Sequence, residues 1–492
     1  MQDRYLLRPM AALSLLLSAT TASADPWLAP GDLALRHDIE LLADEGIIRS
    51  PVTTWPMSWP DIARDVNAAS QNGYSAGVEQ ALSRVQRAAR QAAAPGFSGL
   101  GFELSAAEKP TVLRTYSNTP RDPGELAVGG SWLGERFAAA VKVTGVADPS
   151  DDQDVRLDGS YVGVTLANFM ISAGATERWW GPGWDGSLIL SSNARPIPGI
   201  TIERNYTDAS KWPVFKWFGP WRASIAVGRA EGKNVAVPNT RFLAARVNFK
   251  PRPWLEFGLS RTAQWCGDGR PCGWGTLKDL LIGNDNQGGA GGVAPNDEPG
   301  NQMAGYDMRL RSPWKKLPLA GYVQFIGEDE AGGLPSKFLG LVGGETWFDT
   351  AIGSVRLRAE FADSACTFTR SDPDFNCAYR NSLYPQGYTY RGRIIGHSMD
   401  QDGRMVSAAA TLVRPQGDSF HLLLREVKLN RDGSGGHAIS PGAASDLQNV
   451  ELEHRRDAFG GSLTLGLGYD SYDSSLSLDS GVRAFARYQR GF

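Results

Sequence analysis

From residue 97 to the end of the chain, apolar and polar side chains alternate with a period of two. In residues 354–361 the apolar side chains at odd positions alternate with Arg356, Arg358 and Glu360, and residues 462–469 repeat this rhythm with leucines and a tyrosine. Such alternation predicts β-strands that have one apolar and one polar face. Because the pattern recurs throughout residues 97–492, we predict that most of the chain is β-sheet.

Two kinds of β-protein fit this alternation, a soluble sandwich and a membrane barrel. The spacing of the strands favours the barrel. Short connections such as residues 250–253 and 414–418 alternate, roughly, with long ones such as residues 266–302 and 364–393. Short turns at one end and long loops at the other are typical of outer-membrane barrels, whose turns face the periplasm. The charged strand faces also suit a water-filled barrel interior.

The strand count follows from the length of this region. At about 22 residues per strand with its connection, residues 97–492 hold roughly 18 strands. This assignment requires residues 163–176 to form one long strand and residues 208–220 to form a periplasmic connection. We therefore predict an all-β transmembrane β-barrel of about 18 antiparallel strands. An even number places both chain ends in the periplasm.

The first 24 residues resemble a secretory signal peptide. Arg4 and Arg8 precede an apolar stretch at residues 10–19, and residues 22–24 are small, as a signal peptidase requires. We predict that residues 1–24 are removed and that the mature chain begins at Asp25. The alternative, a buried N-terminal helix, does not explain this order of segments. No later apolar run reaches the roughly 20 residues that a transmembrane helix needs.

Between the signal peptide and the barrel, residues 25–96 have a helical period. Asp32, Ser58 and Ser75 are suitable N-cap residues, and each precedes apolar side chains spaced as on one helix face. Gly46 is placed to end the first helix, and the Pro-Gly pair at residues 95–96 to end the third. Because the apolar stripes are narrow, we predict a small periplasmic helical bundle that packs against the larger domain of residues 97–492.

The four cysteines form two local pairs in stretches rich in Gly, Pro and Asp. Close pairs in the loops of a secreted protein indicate disulfides, so we predict the pairs Cys266–Cys272 and Cys366–Cys377. A zinc site would need shorter cysteine spacing and nearby histidines. Residues 285–297 carry oxygens that could hold calcium, but not in the order of an EF-hand. We expect neither a metal nor a cofactor.

The sequence of residues 177–200 is unusual in any class of protein. It reads Glu-Arg-Trp-Trp-Gly-Pro-Gly-Trp-Asp-Gly-Ser from residue 177 and Asn-Ala-Arg-Pro-Ile-Pro-Gly from residue 193. This block resembles the one typical of the capsule-assembly Wzi family of outer-membrane proteins. Residues 25–28, residues 283–286 with 298–301, and residues 387–400 are also similar to that family and lie in the same order. The resemblance implies a barrel of about 18 strands with a periplasmic helical bundle. It also implies a lectin-like role in attaching capsular polysaccharide to the cell.

The Trp-rich block supplies the candidate polysaccharide-binding residues. A pyranose ring packs its C–H face on an aromatic plane, and its hydroxyls need donors and acceptors at the edge. An acidic sugar would also suit an arginine fork, which can bind a carboxylate with two parallel hydrogen bonds. The candidates are Glu177, Arg178, Trp179, Trp180, Trp184, Asp185 and Arg195. The alternative is structural, with the block as a rigid loop folded into the barrel mouth and the tryptophans in its core or at the membrane interface.

These features predict a protein that binds capsular or extracellular polysaccharide and holds it at the cell surface, without catalysis. One alternative is a diffusion channel, which a barrel of this width forms unless its loops fill it. Another is a membrane-embedded hydrolase, since Ser398 follows His397. Neighbours in sequence do not make a triad, however, and the chain has only five histidines. We therefore assign no catalytic residues.

The remaining partners follow from the predicted location in the outer membrane. We expect contacts with outer-membrane lipid and with the barrel-assembly machinery. The terminal Phe492 fits the assembly signal, although Arg490 stands where another apolar side chain is usual. The formal net charge of −3 gives no reason to expect nucleic acid as a partner. We expect a monomer.

Overall fold

The computed structural model describes residues 25–70, 73–232, 235–282, 300–314, 316–331, 334–473 and 480–491. The predicted signal peptide, the possible calcium-binding stretch at residues 285–297 and the terminal Phe492 lie outside these described residues. Within them the longest helix has 17 residues, and no helix is both long and apolar enough to cross a membrane.

Most of the chain forms one closed antiparallel β-barrel. Its segments in chain order are β4 (Gly96–Ala107), β5 (Gly124–Leu133), β6 (Phe137–Ala147), β7 (Val155–Arg156), β8 (Tyr161–Leu166), β9 (Phe169–Gly174), β11 (Gly199–Arg204), β12 (Trp221–Arg229), β13 (Arg241–Arg252), β14 (Leu255–Trp265), β15 (Gly300–Arg311), β16 (Leu319–Ala331), β17 (Leu334–Thr350), β18 (Gly353–Asp363), β21 (Arg404–Val413), β22 (Ser419–Leu429), β23 (Ser445–Ala458), β24 (Gly461–Tyr472) and β25 (Gly481–Gly491). β7 and β8 both pair with β6 and form one interrupted strand, so the barrel has 18 strands, as predicted. β25 pairs with β4 and closes it.

The barrel wall is apolar on its outer face and charged on its inner face. On β23, Val450 and Leu452 are each 45% exposed, whereas Glu451 between them is 3% exposed. A soluble β-protein buries the opposite set of side chains. Lipid solvates an apolar outer face, and the barrel interior can accept charges. The predicted alternation is therefore confirmed, with the orientation that a membrane requires.

The two ends of the barrel differ in the length of their connections. Tight turns join β5 to β6, β13 to β14, β17 to β18 and β23 to β24 at one end. The other end carries the long connections, which include residues 108–123, 175–198 and 364–403. β4 begins and β25 ends at the tight-turn end, which we assign to the periplasm. We call the opposite end the outer end.

One strand assignment made from the sequence is wrong. Residues 163–176 do not form a single strand, because β8 and β9 pair with each other as a hairpin. The chain reverses at Ala167, which has a φ of 51°, and Asn168. The sequence gives little warning of this turn, since neither glycine nor proline marks it. The periplasmic connection predicted at residues 208–220 is present between β11 and β12 and contains a short 3-10 turn, Lys216–Phe218.

The three predicted helices begin at the predicted caps. They are α1 (Leu33–Asp44), α2 (Trp59–Ala68) and α3 (Ala76–Ala92), and a fourth helix, α4 (Trp274–Ile282), lies in an outer connection. The Asp32 carboxylate accepts a hydrogen bond from the Leu35 N–H at 3.0 Å, which satisfies one free donor of the first turn. The prediction that each helix buries only a narrow apolar stripe is wrong for α1, because eleven of its 12 residues are buried.

α1 is buried on all sides because it lies against the inner wall of the barrel. Arg309 of β15 donates to both carboxylate oxygens of Asp44, at 2.7 and 2.9 Å, and to Glu345 of β17 at 2.6 Å. Arg356 of β18 donates to the same Glu345 at 2.7 Å. The strand charges that the sequence suggested would face water thus face a helix.

A segment from each end meets in the barrel interior. Glu256 of β14 accepts hydrogen bonds from the backbone N–H groups of Val52 and Thr53 at 2.9 and 2.8 Å. Just beyond them, β2 (Thr54–Trp55) pairs with β10 (Trp179–Trp180) from an outer connection. Two further two-residue pairs complete the fold, β1 (Trp27–Leu28) with β3 (Met57–Ser58) and β19 (Thr389–Tyr390) with β20 (Arg393–Ile394). These segments fill much of the interior, and cavities of about 220 and 420 Å³ remain beside the wall formed by β4 to β8.

Candidate functional site

The three tryptophans of the Trp-rich block lie in the core of the barrel. Trp179 and Trp180 are 0% exposed and Trp184 is 1% exposed. A sugar ring can stack only on an aromatic face that it can reach. In this arrangement the three indole planes are therefore not available as sugar platforms.

One of these tryptophans, Trp184, instead contacts a cation from α1 together with Tyr116. The Arg36 guanidinium lies 4.0 Å from the ring centroid of Trp184 and 4.4 Å from that of Tyr116. It donates to the carbonyl oxygens of Pro182 and Gly183 at 2.8 and 3.0 Å. Cation–π contact of this kind is strongest where water is excluded. The block therefore locks the helical segment to the outer connection.

The four charged candidates are each bound to a neighbour in the fold. Glu177 pairs with Arg121, Arg178 donates to the Thr176 carbonyl, Asp185 accepts from Arg425, and Arg195 donates to Asp158. The Arg195 fork contacts the two oxygens of Asp158 at 2.7 and 2.8 Å, which is the geometry that the sequence suggested for a sugar carboxylate. The structure thus separates residues that the sequence placed together.

An open polar cleft of about 900 Å³ lies at the outer end of the barrel. Most of its wall comes from residues 376–401, within the connection between β18 and β21. The polar side chains that line this outer cleft include Asn376, Arg380, Asn381, Gln386, Thr389 and Arg391. Amides, guanidiniums and a hydroxyl together offer many donors and acceptors, which suits a ligand covered with hydroxyl groups.

The Trp-rich block supports the floor of the outer cleft. Tyr379 and Tyr388 stack there with centroids 6.0 Å apart and planes inclined by 13°. Their hydroxyls donate to the carbonyl oxygens of Leu188 and Ile189, each at 2.8 Å. The cleft wall is therefore anchored to the buried block, and this anchoring preorganises the cleft.

Two side chains of the outer cleft retain unused hydrogen-bonding groups. Arg380 Nη2 and Gln386 Oε1 have no hydrogen-bond partner within the described part of the chain. Both atoms are buried; one is a donor and the other an acceptor, the two kinds of group that pair with a sugar hydroxyl. A ligand that satisfied both would remove the energetic cost of leaving them unpaired.

His397, which follows Gly396, is buried in the fold. His397 is 0% exposed, and its Nδ1 accepts a hydrogen bond from the Met399 N–H at 3.3 Å. Burial, with Arg425 as a second cause, lowers the pKa of His397 to about 3. A general base has to reach its proton and work near its own pKa. The His397 ring meets neither condition.

Both predicted disulfides are present. Cys266 bonds to Cys272, and Cys366 bonds to Cys377 in the connection that forms the outer cleft. Across the residues that the structure describes, no group of three or more His, Cys, Asp or Glu side chains is arranged to hold a metal ion.

The outer cleft was not predicted from the sequence. Arg380 and Gln386 belong to a stretch identified only as a long connection, and amides carry no motif of their own. Some signal was nevertheless present, because Thr389 and Arg391 lie within residues 387–400, one of the stretches similar to the Wzi family.

Comparison with known proteins gives consistent results. The family model for the capsule assembly protein Wzi matches residues 101–481. An uncharacterized 55.8 kDa protein from the cps region of Klebsiella pneumoniae is 29% identical over 481 residues, which cover 97% of this chain and 92% of that protein. The solved structure of Wzi from Escherichia coli, described as an outer membrane protein involved in group 1 capsule assembly and a carbohydrate-binding β-barrel, is 27% identical. It superimposes with a TM-score of 0.82 and covers 94% of this chain and 99% of its own.

Proposed function

The chain belongs to the capsule assembly protein Wzi family, and from this premise we propose that it binds capsular or extracellular polysaccharide and attaches it to the cell surface. The protein is an 18-stranded outer-membrane β-barrel. In this proposal the outer cleft contacts the polymer, and the barrel anchors that contact in the membrane.

The observation that carries the proposal is a polar cleft of about 900 Å³ at the outer end of a filled barrel. The long connections that form it face away from the periplasm. Arg380 and Gln386 line this cleft, and their donors and acceptors suit the recognition of hydroxyl groups.

Retention of a polymer does not require tight binding at each site. A polysaccharide meets many copies of the protein in one membrane, so the second contact is effectively intramolecular. Linked weak contacts of this kind can exceed the single-site affinity by about 10²–10⁴-fold. A shallow polar cleft is therefore sufficient for firm attachment.

The packed interior argues against a diffusion channel. α1 and the Trp-rich block occupy the barrel from opposite ends and pair through β2 and β10. Charges on the wall are neutralised by the helix rather than by water, as Arg309 and Asp44 illustrate. These contacts close the part of the barrel that they occupy to polar solutes.

We propose that attachment involves no catalytic step. Ser398 is 4% exposed and His397 is fully buried beneath the cleft, so neither is placed to meet a polymer at the outer surface. We also propose a cleaved signal peptide at residues 1–24, a periplasmic-side helical bundle at residues 25–96 and a barrel domain at residues 97–492. Assembly as a monomer in outer-membrane lipid, by the barrel-assembly machinery, completes the proposal.

The test uses purified protein in detergent and the surface polysaccharide isolated from the same strain. Immobilised wild-type protein should retain the polymer, and the double variant Arg380→Ala, Gln386→Ala should bind it about tenfold more weakly, the loss expected for one or two hydrogen bonds that involve a charge. Arg370→Ala is the matched control, because Arg370 is exposed on the same connection but does not line the cleft. Equal binding by all three proteins would reject the cleft, and no binding by wild type would reject the function.

A further inference from the structure

A second, smaller cavity lies beside the outer cleft and is lined by six arginines. It measures about 20 Å³, and the arginines are Arg114, Arg121, Arg156, Arg195, Arg391 and Arg393. They come from three outer connections and from β7, and they converge on one point. We call this cavity the arginine pocket.

Half of these arginines are neutralised within the fold. Arg156 pairs with Asp122 at 2.6 Å and with Asp151 at 2.9 Å. Arg195 pairs with Asp151 and Asp158, and Arg121 with Glu177. These ion pairs account for the acidic side chains around the pocket and hold its walls in place.

The other three arginines have no such compensation. Arg114, Arg391 and Arg393 form no ion pair with a carboxylate anywhere in the described ranges. Arg114 is 3% exposed and donates only to the carbonyl oxygens of neighbouring loops, at 2.8 to 3.3 Å. Arg393 likewise donates to the Val112 carbonyl at 3.0 Å. Asp122 and Asp151 also line the pocket, but the six arginines outnumber the carboxylates around them, so the pocket keeps an excess of positive charge.

Two donors on arginines that line the pocket are also unsatisfied. Arg114 Nη2 and Arg391 Nε are buried without a hydrogen-bond partner among the described residues. A buried charge without a counter-charge is costly, and so is a buried donor without an acceptor. An anion in the pocket would remove both costs at once.

From this geometry we infer that the arginine pocket binds the carboxylate of an acidic sugar residue in the polysaccharide. The inference deepens the proposed function and rests on it. The cavity has room for about one water-sized group, so it can accept a carboxylate oxygen but not a sugar ring. Arg391 lines both the pocket and the outer cleft, so a chain lying in the cleft can insert a carboxylate beside it.

The chemistry of guanidinium groups favours this ligand. Arginine offers a planar set of N–H donors that matches the two oxygens of a carboxylate, and hydrogen bonds between charged groups are about twice as strong as neutral ones. A phosphate group makes similar demands, and the experiment therefore includes it as a separate ligand. Neutral sugars have no group that would satisfy three arginines.

The test titrates purified protein in detergent by calorimetry, at constant ionic strength and neutral pH. The probes are sodium glucuronate, the methyl ester of glucuronate and inorganic phosphate. Wild type should bind glucuronate at least about tenfold more tightly than the ester, because esterification removes the charge but keeps the ring. The double variant Arg391→Gln, Arg393→Gln should lose this preference, whereas Arg370→Gln, with the same change in charge outside the pocket, should keep it.

The folding of each variant is checked by two measurements, its heat-modifiable mobility on gels and its thermal midpoint, each compared with wild type. Arg393→Lys retains the charge and should keep part of the preference for glucuronate over its ester. Equal binding of glucuronate and its ester, no binding of either, or an unchanged preference in the double variant would overturn the inference. Binding of phosphate without glucuronate would overturn the carboxylate assignment.

Binding of the whole polysaccharide separates this inference from the proposed function. If wild type retains the polymer but shows no preference for glucuronate over its ester, only the arginine pocket is wrong. If wild type does not retain the polymer, the proposed function is wrong as well.

Discussion

Two long connections at the outer end of the barrel differ in burial: the aromatic side chains of one are buried, whereas the other lines the outer cleft. Residues 175–198 carry the most distinctive aromatic sequence in the chain, yet Trp179, Trp180 and Trp184 are at most 1% exposed. Residues 364–403 have a less distinctive composition, yet they form most of the wall of the outer cleft. The first connection is held by burial, and the second by a disulfide and by hydrogen bonds to the first.

An aromatic-rich loop in a barrel is therefore not necessarily its ligand-binding surface. Large rings contribute most where they exclude water, and here they enclose Arg36 and support the cleft from below. The groups suited to sugar hydroxyls are ordinary amides and guanidiniums on the connection above. One region supplies rigidity and the other supplies contacts.

The largest expected effect is on stability, from truncating a buried ring of the first connection. Trp184→Ala should lower the free energy of unfolding by about 3–5 kcal/mol, because it leaves a cavity in a packed core and removes the face that contacts Arg36. Denaturant unfolding in detergent measures the change. Trp274→Ala is the matched control, since that ring is 79% exposed, and it should change stability by less than about 0.5 kcal/mol. Similar losses in both variants would contradict the contrast.

A smaller effect is expected from opening the disulfide of the second connection. Cys366→Ser with Cys377→Ser should destabilise residues 364–403 by about 2–3 kcal/mol, because the crosslink restricts a short loop in the unfolded state. Hydrogen exchange should show faster exchange in that connection and little change in residues 175–198. Cys266→Ser with Cys272→Ser serves as the control and should leave the cleft connection protected. Equally faster hydrogen exchange in both connections would show that they unfold as one unit and would contradict the comparison.

Packing between the two connections should respond to a single added methyl group. A Cβ at Gly186 would lie 1.9 Å from His397 Nε2, whereas a Cβ at Gly435 meets nothing within 4 Å. Gly186→Ala should therefore cost about 1–3 kcal/mol through overpacking, and Gly435→Ala should cost much less. Thermal midpoints of the two variants test this directly. An unchanged thermal midpoint in Gly186→Ala would show that the two connections are not tightly packed together.

How much of this was predictable depends on the range of the interactions involved. The helix starts at Asp32, Ser58 and Ser75, the strand alternation and the disulfide pairs rest on residues close in sequence. The predictions made from them are confirmed, although only Asp32 makes a capping hydrogen bond. The turn at Ala167 escaped prediction because it has no glycine or proline. The burial of Trp184 depends on Arg36 and Glu360, which are far away in the chain, so no local pattern could reveal it.

The smallest predicted effect is a dependence of this packing on pH. Burial lowers the pKa of His397 to about 3, below its ordinary value of 6.5, so the folded protein favours the neutral ring. The resulting stability is present above about pH 6.5 and is lost progressively as the pH falls toward 3. At pH 6 the loss should be about 1 kcal/mol. His397→Gln cannot titrate, so its stability should fall less than that of wild type between pH 7 and 5. If the free energy of unfolding of the two proteins falls equally between pH 7 and 5, this role of His397 is contradicted.

The most direct test of the central claim is the distribution of polysaccharide between cells and medium. A strain that lacks the protein should release polysaccharide into the medium and carry a thinner cell-bound layer, with the total amount little changed. Complementation with wild type or Arg370→Ala should restore the bound layer, whereas Arg380→Ala with Gln386→Ala should restore it only in part. If the total amount collapses in the deletion strain, the protein acts in synthesis or export, and the attachment account is wrong.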